Sequence, residues 1–222
     1  LHVRSRRQRQ MCIRDSSLSV TTADDVLSVL ALEDIVRDVR GGIIHNYPLV
    51  KIGTQYWMRD NLEASSYVGG EALPRLDAVT ANVVGYLQSA TEHYFYTANV
   101  VLSNKILPAH WSIPDWKDWN ILKDYLNGEA SLLKSGTWLP LKAGEQVQSA
   151  TNLSGFNGIP VGMYVGAFQT DYEKKHLAYW TLDNANAAID IKVFYLKSDT
   201  DIIEESNAGV DTKAFAIRCI RK

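Results

Sequence analysis

Side chains suited to chemistry are few and widely spaced in this chain. Beyond the first sixteen residues the histidines are His45, His93, His110 and His176, and no two share the i, i+4 spacing that would set both on one helical face around a metal. A lone histidine of this kind reads as a surface or hydrogen-bonded structural residue. Direct search finds no H-E-x-x-H, no G-x-S-x-G and no G-x-x-x-x-G-K-[ST]. Zinc proteolysis, elbow-type serine hydrolysis and phosphate cradling therefore lack their sequence frames. Cys219 lies in line with Phe215 and Ile217 along an apolar strand and reads as a small buried hydrophobe whose thiol stays protonated. Two oxygen-rich groups stand out, Asp183-Asn184 and the set Asp199, Asp201, Glu204 and Glu205. Clustered oxygens are what a hard cation needs, but they equally keep a turn solvated, and the solvated turn is the preferred reading. The remaining chemical resource is aromatic. Six Trp and eleven Tyr exceed common usage, and such rings bind sugars and proteins as readily as they pack cores.

These groups need a scaffold, and its centre is Ile106–Gly128, ILPAHWSIPDWKDWNILKDYLNG. Pro114 ends an extended approach. Asp115 is placed to cap a helix, with Asp118 three residues on in the capping-box position. Trp119, Leu122 and Leu126 recur at helical steps, Ile121 and Tyr125 widen the stripe, and Asn127-Gly128 is a left-handed stop. A helix this rich in large apolar residues needs a broad partner surface, which the strand-rich C-terminal third supplies.

Along the rest of the chain, Val50 and Ile52 predict a strand, Gly53-Thr54 a turn, and Gln55–Met58 a second strand of a hairpin. Residues 63–90 read as loop with one short helix, and His93–Ala98 as aromatic core. Residues 142–152 are loop. Ser154–Phe168 carries four Gly among large apolar residues, a mark of bulges or close backbone approach. Ala178–Leu182, Ala187–Lys197 and Thr212–Arg221 read as strands, with 199–209 as turn. In the last strand Phe215, Ile217 and Cys219 alternate with Ala216, Arg218 and Ile220.

The ordered series VKIGTQYWMRDNL, YFYT, ILPAHWSIPDWKDWNILKDYLNG, SGFNGIPVGMYVGAF, YWT and AFAIRCIRK resembles the Fibrobacter succinogenes major paralogous domain, a family abundant in surface and secreted proteins of Bacteroidetes and Fibrobacteres. Trp57, Met58, Asn61, Leu62, Trp111, Pro114, Trp119, Gly155, Phe156, Pro160, Trp180, Arg218 and Cys219 fall on its pattern. The resemblance covers about residues 44–222. It implies an α+β, C-type-lectin-like fold: a curled antiparallel sheet packed on one main helix, about 114–127, with long loops and distant kinship to formylglycine-generating enzymes. It places Trp57, Trp111, Trp119, Leu122, Phe156, Trp180, Phe215 and Cys219 in the core. The family's Cys before the central Pro is Leu107 here, so Cys219 lacks that partner, and the Y-W-S-S-T turn is reduced to Tyr179–Leu182.

The kinship raises two chemistries. An oxidase of the formylglycine-generating kind uses a reactive Cys pair with copper, which a single Cys219 does not provide. Lectin-type calcium would fall to Asp183-Asn184 after Trp180, but no E-P-N or Q-P-D accompanies them. Trp116 and Trp138 lie off the family pattern and are, with Asp183 and Asn184, the candidate ligand contacts.

Residues 1–16 hold five Arg and one acid and resemble translated adaptor sequence; they are set aside. Residues 17–42 read as a helical linker or the tail of an upstream module, with apolar positions at Val26, Leu27, Leu30, Ile35 and Val36 and a boundary at Gly41-Gly42, leaving 43–222 as the domain. Net charge is −2 over 222 residues, so nothing points to nucleic acid, and no apolar run is long enough to span a bilayer. The expectation is a non-enzymatic, extracellular or cell-surface module, lipid-anchored or adhesive, that binds glycan or protein beside other modules. A purely structural role in a surface or pilus-like assembly is the alternative, and a degenerate oxidase relative the third.

Overall fold

A computed structural model describes residues 35–167, 172–183, 190–207 and 212–221. The architecture is α+β. Antiparallel strands dominate, and one principal helix packs among them. The expected single curled sheet is divided into three. The five-stranded sheet runs β1 (Ile35–Arg40), β2 (Ile43–Ile52), β3 (Gln55–Met58), β12 (Ile220–Arg221), β6 (Trp111–Ser112). The four-stranded sheet runs β4 (Tyr86–Gln88), β5 (Tyr94–Thr97), β11 (Lys213–Phe215), β7 (Tyr164–Val165). The three-stranded sheet runs β10 (Glu204–Asn207), β9 (Asp190–Lys197), β8 (His176–Asp183).

The C-terminal segment stitches the three together. β11 pairs with β5 and β7, β12 pairs with β3 and β6, and between them Ala216 bridges Tyr179 of β8. The expected alternation is present, but both faces are buried. Phe215, Ile217 and Cys219 enter a core cluster with Trp180, Ile113 and Val193. Ala214, Ala216 and Ile220 enter a second with Trp57, Trp119 and Phe156.

The principal helix, α2 (Trp116–Tyr125), follows a short helix α1 (Ala98–Ser103). Its start is the predicted capping box: Asp118 N–H donates to Asp115 Oδ1 at 3.0 Å, and Asp115 N–H donates to Asp118 Oδ2 at 2.9 Å. Trp119, Leu122 and Leu126 are buried, and the backbone turns left-handed at Asn127 and Gly128 (φ 52° and 79°). Ile121 and Tyr125 do not widen the stripe, because both are nearly half exposed. Ile121 stands two residues from Trp119, which a 100° step places on the far side of the helix. Tyr125 instead lies over the β2–β3 turn, where a Cβ on Gly53 (φ 59°) would come within 2.9 Å of its ring.

Three other expectations are corrected. Ile35 and Val36 are not helical. They begin β1, and Gly41-Gly42 is no boundary but the two-residue turn of the β1–β2 hairpin, both glycines at positive φ (53° and 84°). The strand was disguised by charge: Asp38 and Arg40 are buried, and Arg40 donates to Asp38 Oδ2 at 2.7 Å and to the carbonyls of Ser66 and Ile106. Residues 63–90 hold no helix but two bridges and β4. The 199–209 turn contains β10, an edge strand whose Glu, Ser and Asn side chains discourage pairing with another chain. Residues 1–34, including the expected helix, lie outside the described residues.

Candidate functional site

The aromatic and acidic candidates scatter rather than converge. Trp138 is a core residue, not a surface ring. It is 6% exposed, donates Nε1–H to the Ser135 carbonyl at 2.9 Å, and has Lys134 Nζ 5.3 Å from its centroid. Trp116 is half-buried in the first helical turn, against the cluster of Trp57 and Trp119, with Lys192 Nζ 5.9 Å from its ring. Asp183 closes β8, and Asn184 lies outside the described residues. The second acidic group is tied into the scaffold. Asp201 accepts from Ser131 N–H and from Ser131 Oγ, Lys134 Nζ donates to the Thr200 carbonyl, and Lys197 donates to Glu204 Oε2. Among the described residues no group of three or more His, Cys, Asp or Glu side chains is arranged to hold a metal.

Of the expected core, Trp57, Trp119, Leu122, Phe156, Trp180, Phe215 and Cys219 are fully buried. Trp111 is the exception. It is half-buried against the Trp180 cluster, because β6 is an edge strand with one open flank. Burial pushes the Cys219 thiol up to about 12, so the thiolate that redox chemistry requires does not form near neutrality.

A recess elsewhere does gather chemistry. It opens on one face of the three-stranded sheet, at the end away from the Ile191–Leu182 pair. Residues directly opposite in an antiparallel ladder share a face. The pairs His176–Lys197, Ala178–Tyr195 and Tyr195–Glu204 therefore put imidazole, ammonium, phenol and carboxylate on a common floor, and the Val193–Ser206 pair adds a hydroxyl. Deeper on this face, Ala178, Trp180 and Val193 belong to the Trp180 cluster, so the floor is the polar continuation of an apolar core. Opposite stand Met163 and the paired Val165 and Lys213 of β7 and β11, and Tyr172 forms a wall. The recess measures about 580 Å³. That lies within the roughly 300–1,000 Å³ typical of ligand pockets. A second cleft, beside Asp60, Glu63, His93 and Arg218, measures about 90 Å³. At roughly 30 Å³ per water, it admits a few solvent molecules and little more.

His176 anchors the floor. Its ring stands edge-on to Tyr172 at 4.6 Å, and its buried Nδ1 has no hydrogen-bond partner among the described residues. Burial first, and the Lys197 ammonium second, lower its pKa to about 4. The imidazole is therefore neutral at neutral pH. Between pH 6.5 and about 4 the unfolded chain takes up a proton that the folded one refuses, so stability is fully present above 6.5 and falls as pH drops through this window. The loss approaches about 3 kcal/mol at pH 4. Urea melts at pH 7 and pH 4.5 are expected to show it, and His176→Gln is expected to flatten that part of the pH dependence.

One residue carries more of this region than its sequence position announces. Arg218 is buried and forms no ion pair among the described residues. It donates to Asn61 Oδ1 at 2.8 and 3.2 Å, to the carbonyls of Met58 (3.0 Å), Arg59, Phe156 (2.5 Å) and Asn157 (3.3 Å), and to Tyr179 Oη (2.7 Å). Its guanidinium lies over the Phe156 ring, 4.5 Å from the centroid. The recess itself is drawn from five strands and two loops spread over residues 163–213. No local motif signals it. The sequence clue is the alternation of Ile191, Val193 and Tyr195 with Asp190, Lys192 and Phe194 along β9.

Among the described residues no helix is long and apolar enough to cross a membrane. No curated protein and no solved structure matches the chain. A family model does: the Fibrobacter succinogenes major domain matches residues 50–221, from the second strand of the β2–β3 hairpin's sheet to the last residue of β12. With more than three quarters of its length matched, and with Trp57, Asn61, Trp119 and Arg218 built into one interior, the chain belongs to the Fibrobacter succinogenes major domain family.

Proposed function

We propose that this domain is a non-enzymatic module of an extracellular or cell-surface bacterial protein, and that it holds a glycan or protein ligand in the recess beside His176. The observation that carries the reading is the recess itself: about 580 Å³, floored by polar side chains and walled by Tyr172, Met163 and Val165. Concavity combined with aromatic surface and a few placed polar groups is the usual form of a binding site. The non-enzymatic part draws support from the buried, protonated Cys219, which removes the thiolate of an oxidase. A C-type-lectin-like arrangement belongs to the same reading and is supported by the single principal helix packed among antiparallel strands. Anchoring by lipid and the company of other modules complete it.

A second reading, a structural module of a surface assembly, has its own observation. Ile35, Val39, Ile43 and Ile44 of the β1–β2 hairpin are about half exposed. Apolar surface of this kind favours contact with another protein. The two readings separate on a glycan array and a panel of host and bacterial surface proteins, probed with the wild-type chain and with Tyr172→Ala. The binding module predicts a retained ligand whose signal falls at least about tenfold in the variant, as expected for loss of an aromatic contact. Retention that is unchanged by Tyr172→Ala but lost in Ile43→Asp would favour the structural module.

A further inference from the structure

The recess lies on the face of a sheet rather than along an edge, and that placement selects among ligands. The N–H and C=O groups of β9 are engaged on one side by β8 and on the other by β10. An extended peptide gains affinity from a sheet by adding to an open edge through main-chain hydrogen bonds. The central strand of this floor offers none, and the open edges of β10 and β7 lie only at the border of the recess. The floor offers side chains: the Tyr195 and Tyr172 rings, the Ser206 hydroxyl and the Lys197–Glu204 pair. Rings interspersed with hydroxyl, carboxylate and ammonium groups fit a molecule with apolar C–H faces and a rim of hydroxyls, which describes a sugar ring.

Charge narrows the choice further. Lys197 and Glu204 neutralise each other. Glu205 also borders the recess, but its partner across the ladder, Phe194, points into the Trp119 cluster, so its side chain leaves β10 on the side opposite Glu204 and Ser206. Lys213 is then the cation on this face that has no ion pair among the described residues, and it shares its side of the β7–β11 ladder with Val165 on the recess wall. A half-buried ammonium with no ion pair among the described residues is a site for an anionic group. We infer that the recess takes an acidic saccharide, its carboxylate against Lys213 and its ring against Tyr172 and Tyr195. The inference rests on reading the recess as the ligand site and adds the ligand's class.

The test is calorimetric titration of the full chain with three probes of matched length: tetragalacturonate, cellotetraose and tetraglutamate. The variants are Lys213→Met, Lys213→Gln, Tyr172→Ala and, as a control on an exposed loop, Lys142→Met. Near-ultraviolet circular dichroism confirms the fold of each. Tetragalacturonate is expected to bind best, to weaken at least tenfold in both Lys213 variants and in Tyr172→Ala, and to be unchanged in Lys142→Met. Raising salt should weaken wild type more than Lys213→Met. Equal binding of cellotetraose, lost in Tyr172→Ala but not in the Lys213 variants, would overturn the carboxylate contact while leaving the recess as the ligand site. Tetraglutamate binding as tightly, with the same sensitivity, would overturn the saccharide class. If no probe binds, or if binding ignores every recess variant, the inference fails. A protein ligand lost in Tyr172→Ala would then still uphold the site, and its absence would remove that too.

Discussion

Arg218→Met is expected to leave no cooperatively folded domain at 37 °C. The guanidinium satisfies four main-chain carbonyls, Asn61 and Tyr179, and only the small cleft at Asn61 and Asn157 brings water near this fan. Each buried acceptor left without a donor costs about 1–3 kcal/mol. Methionine restores the aliphatic volume and removes the desolvation cost of the charge, which offsets part of this. Six stranded acceptors still come to more than about 4 kcal/mol, a large share of the roughly 5–15 kcal/mol that holds an ordinary domain together. Arg218→Lys should fare little better, because one ammonium with three donors cannot span a fan that reaches residues 58–61, 156–157 and 179. Thermal denaturation followed by near-ultraviolet circular dichroism is the measurement. A wild-type melting temperature in either variant would show that the fan is ornamental.

The second large effect concerns Trp119, and its value lies in a pair of variants. The ring stacks on Phe194 at 3.8 Å and lies 4.7 Å from Trp57, 6.0 Å from Tyr179 and 6.1 Å from Phe156. Trp119→Ala opens a cavity that four rigid rings cannot close, and should cost about 3–5 kcal/mol. For a domain of this size that is a melting shift of roughly 10 °C or more. Trp119→Phe should cost far less than the area removed implies, because the buried Trp119 N–H has no acceptor among the described residues and its removal relieves an unsatisfied donor. Guanidinium melts of the two variants decide the matter. If phenylalanine proved as damaging as alanine, packing would not be the reason that tryptophan occupies this position.

Legibility in the sequence followed the range of the interactions. The principal helix could be read because its signals are local: Asp115 and Asp118 for the start, Trp119–Leu122–Leu126 for the face, Asn127-Gly128 for the stop. The β2–β3 hairpin could be read for the same reason. β1 could not, since what makes Asp38 and Arg40 interior residues is their pairing with each other and with carbonyls at 66 and 106. Trp138 was misjudged on similar grounds. Its turn is short and polar, and its burial depends on Lys134 and Ser135 folding around it. Arg218 looked like the outward member of an alternating strand, and only the closure of a second layer makes it inward. The recess is the extreme case. Its side chains come from residues 163 to 213, and only the ladders of two sheets bring them to one face.

The stitching role of the last strands bears on how the chain reaches this structure at all. Ile220 pairs with Trp57 and Ala214 with Thr97, so the closing contacts join residues more than a hundred positions apart. Contacts that distant are slow to form, because the entropy of closing long loops is lost before any reward arrives. During synthesis neither the five-stranded nor the four-stranded sheet can be completed until residues 213–221 have left the ribosome. Until those residues emerge the nascent chain stays open, with Trp57, Phe95 and Trp119 waiting for partners not yet made, and its maturation depends on whatever keeps such a chain from aggregating meanwhile.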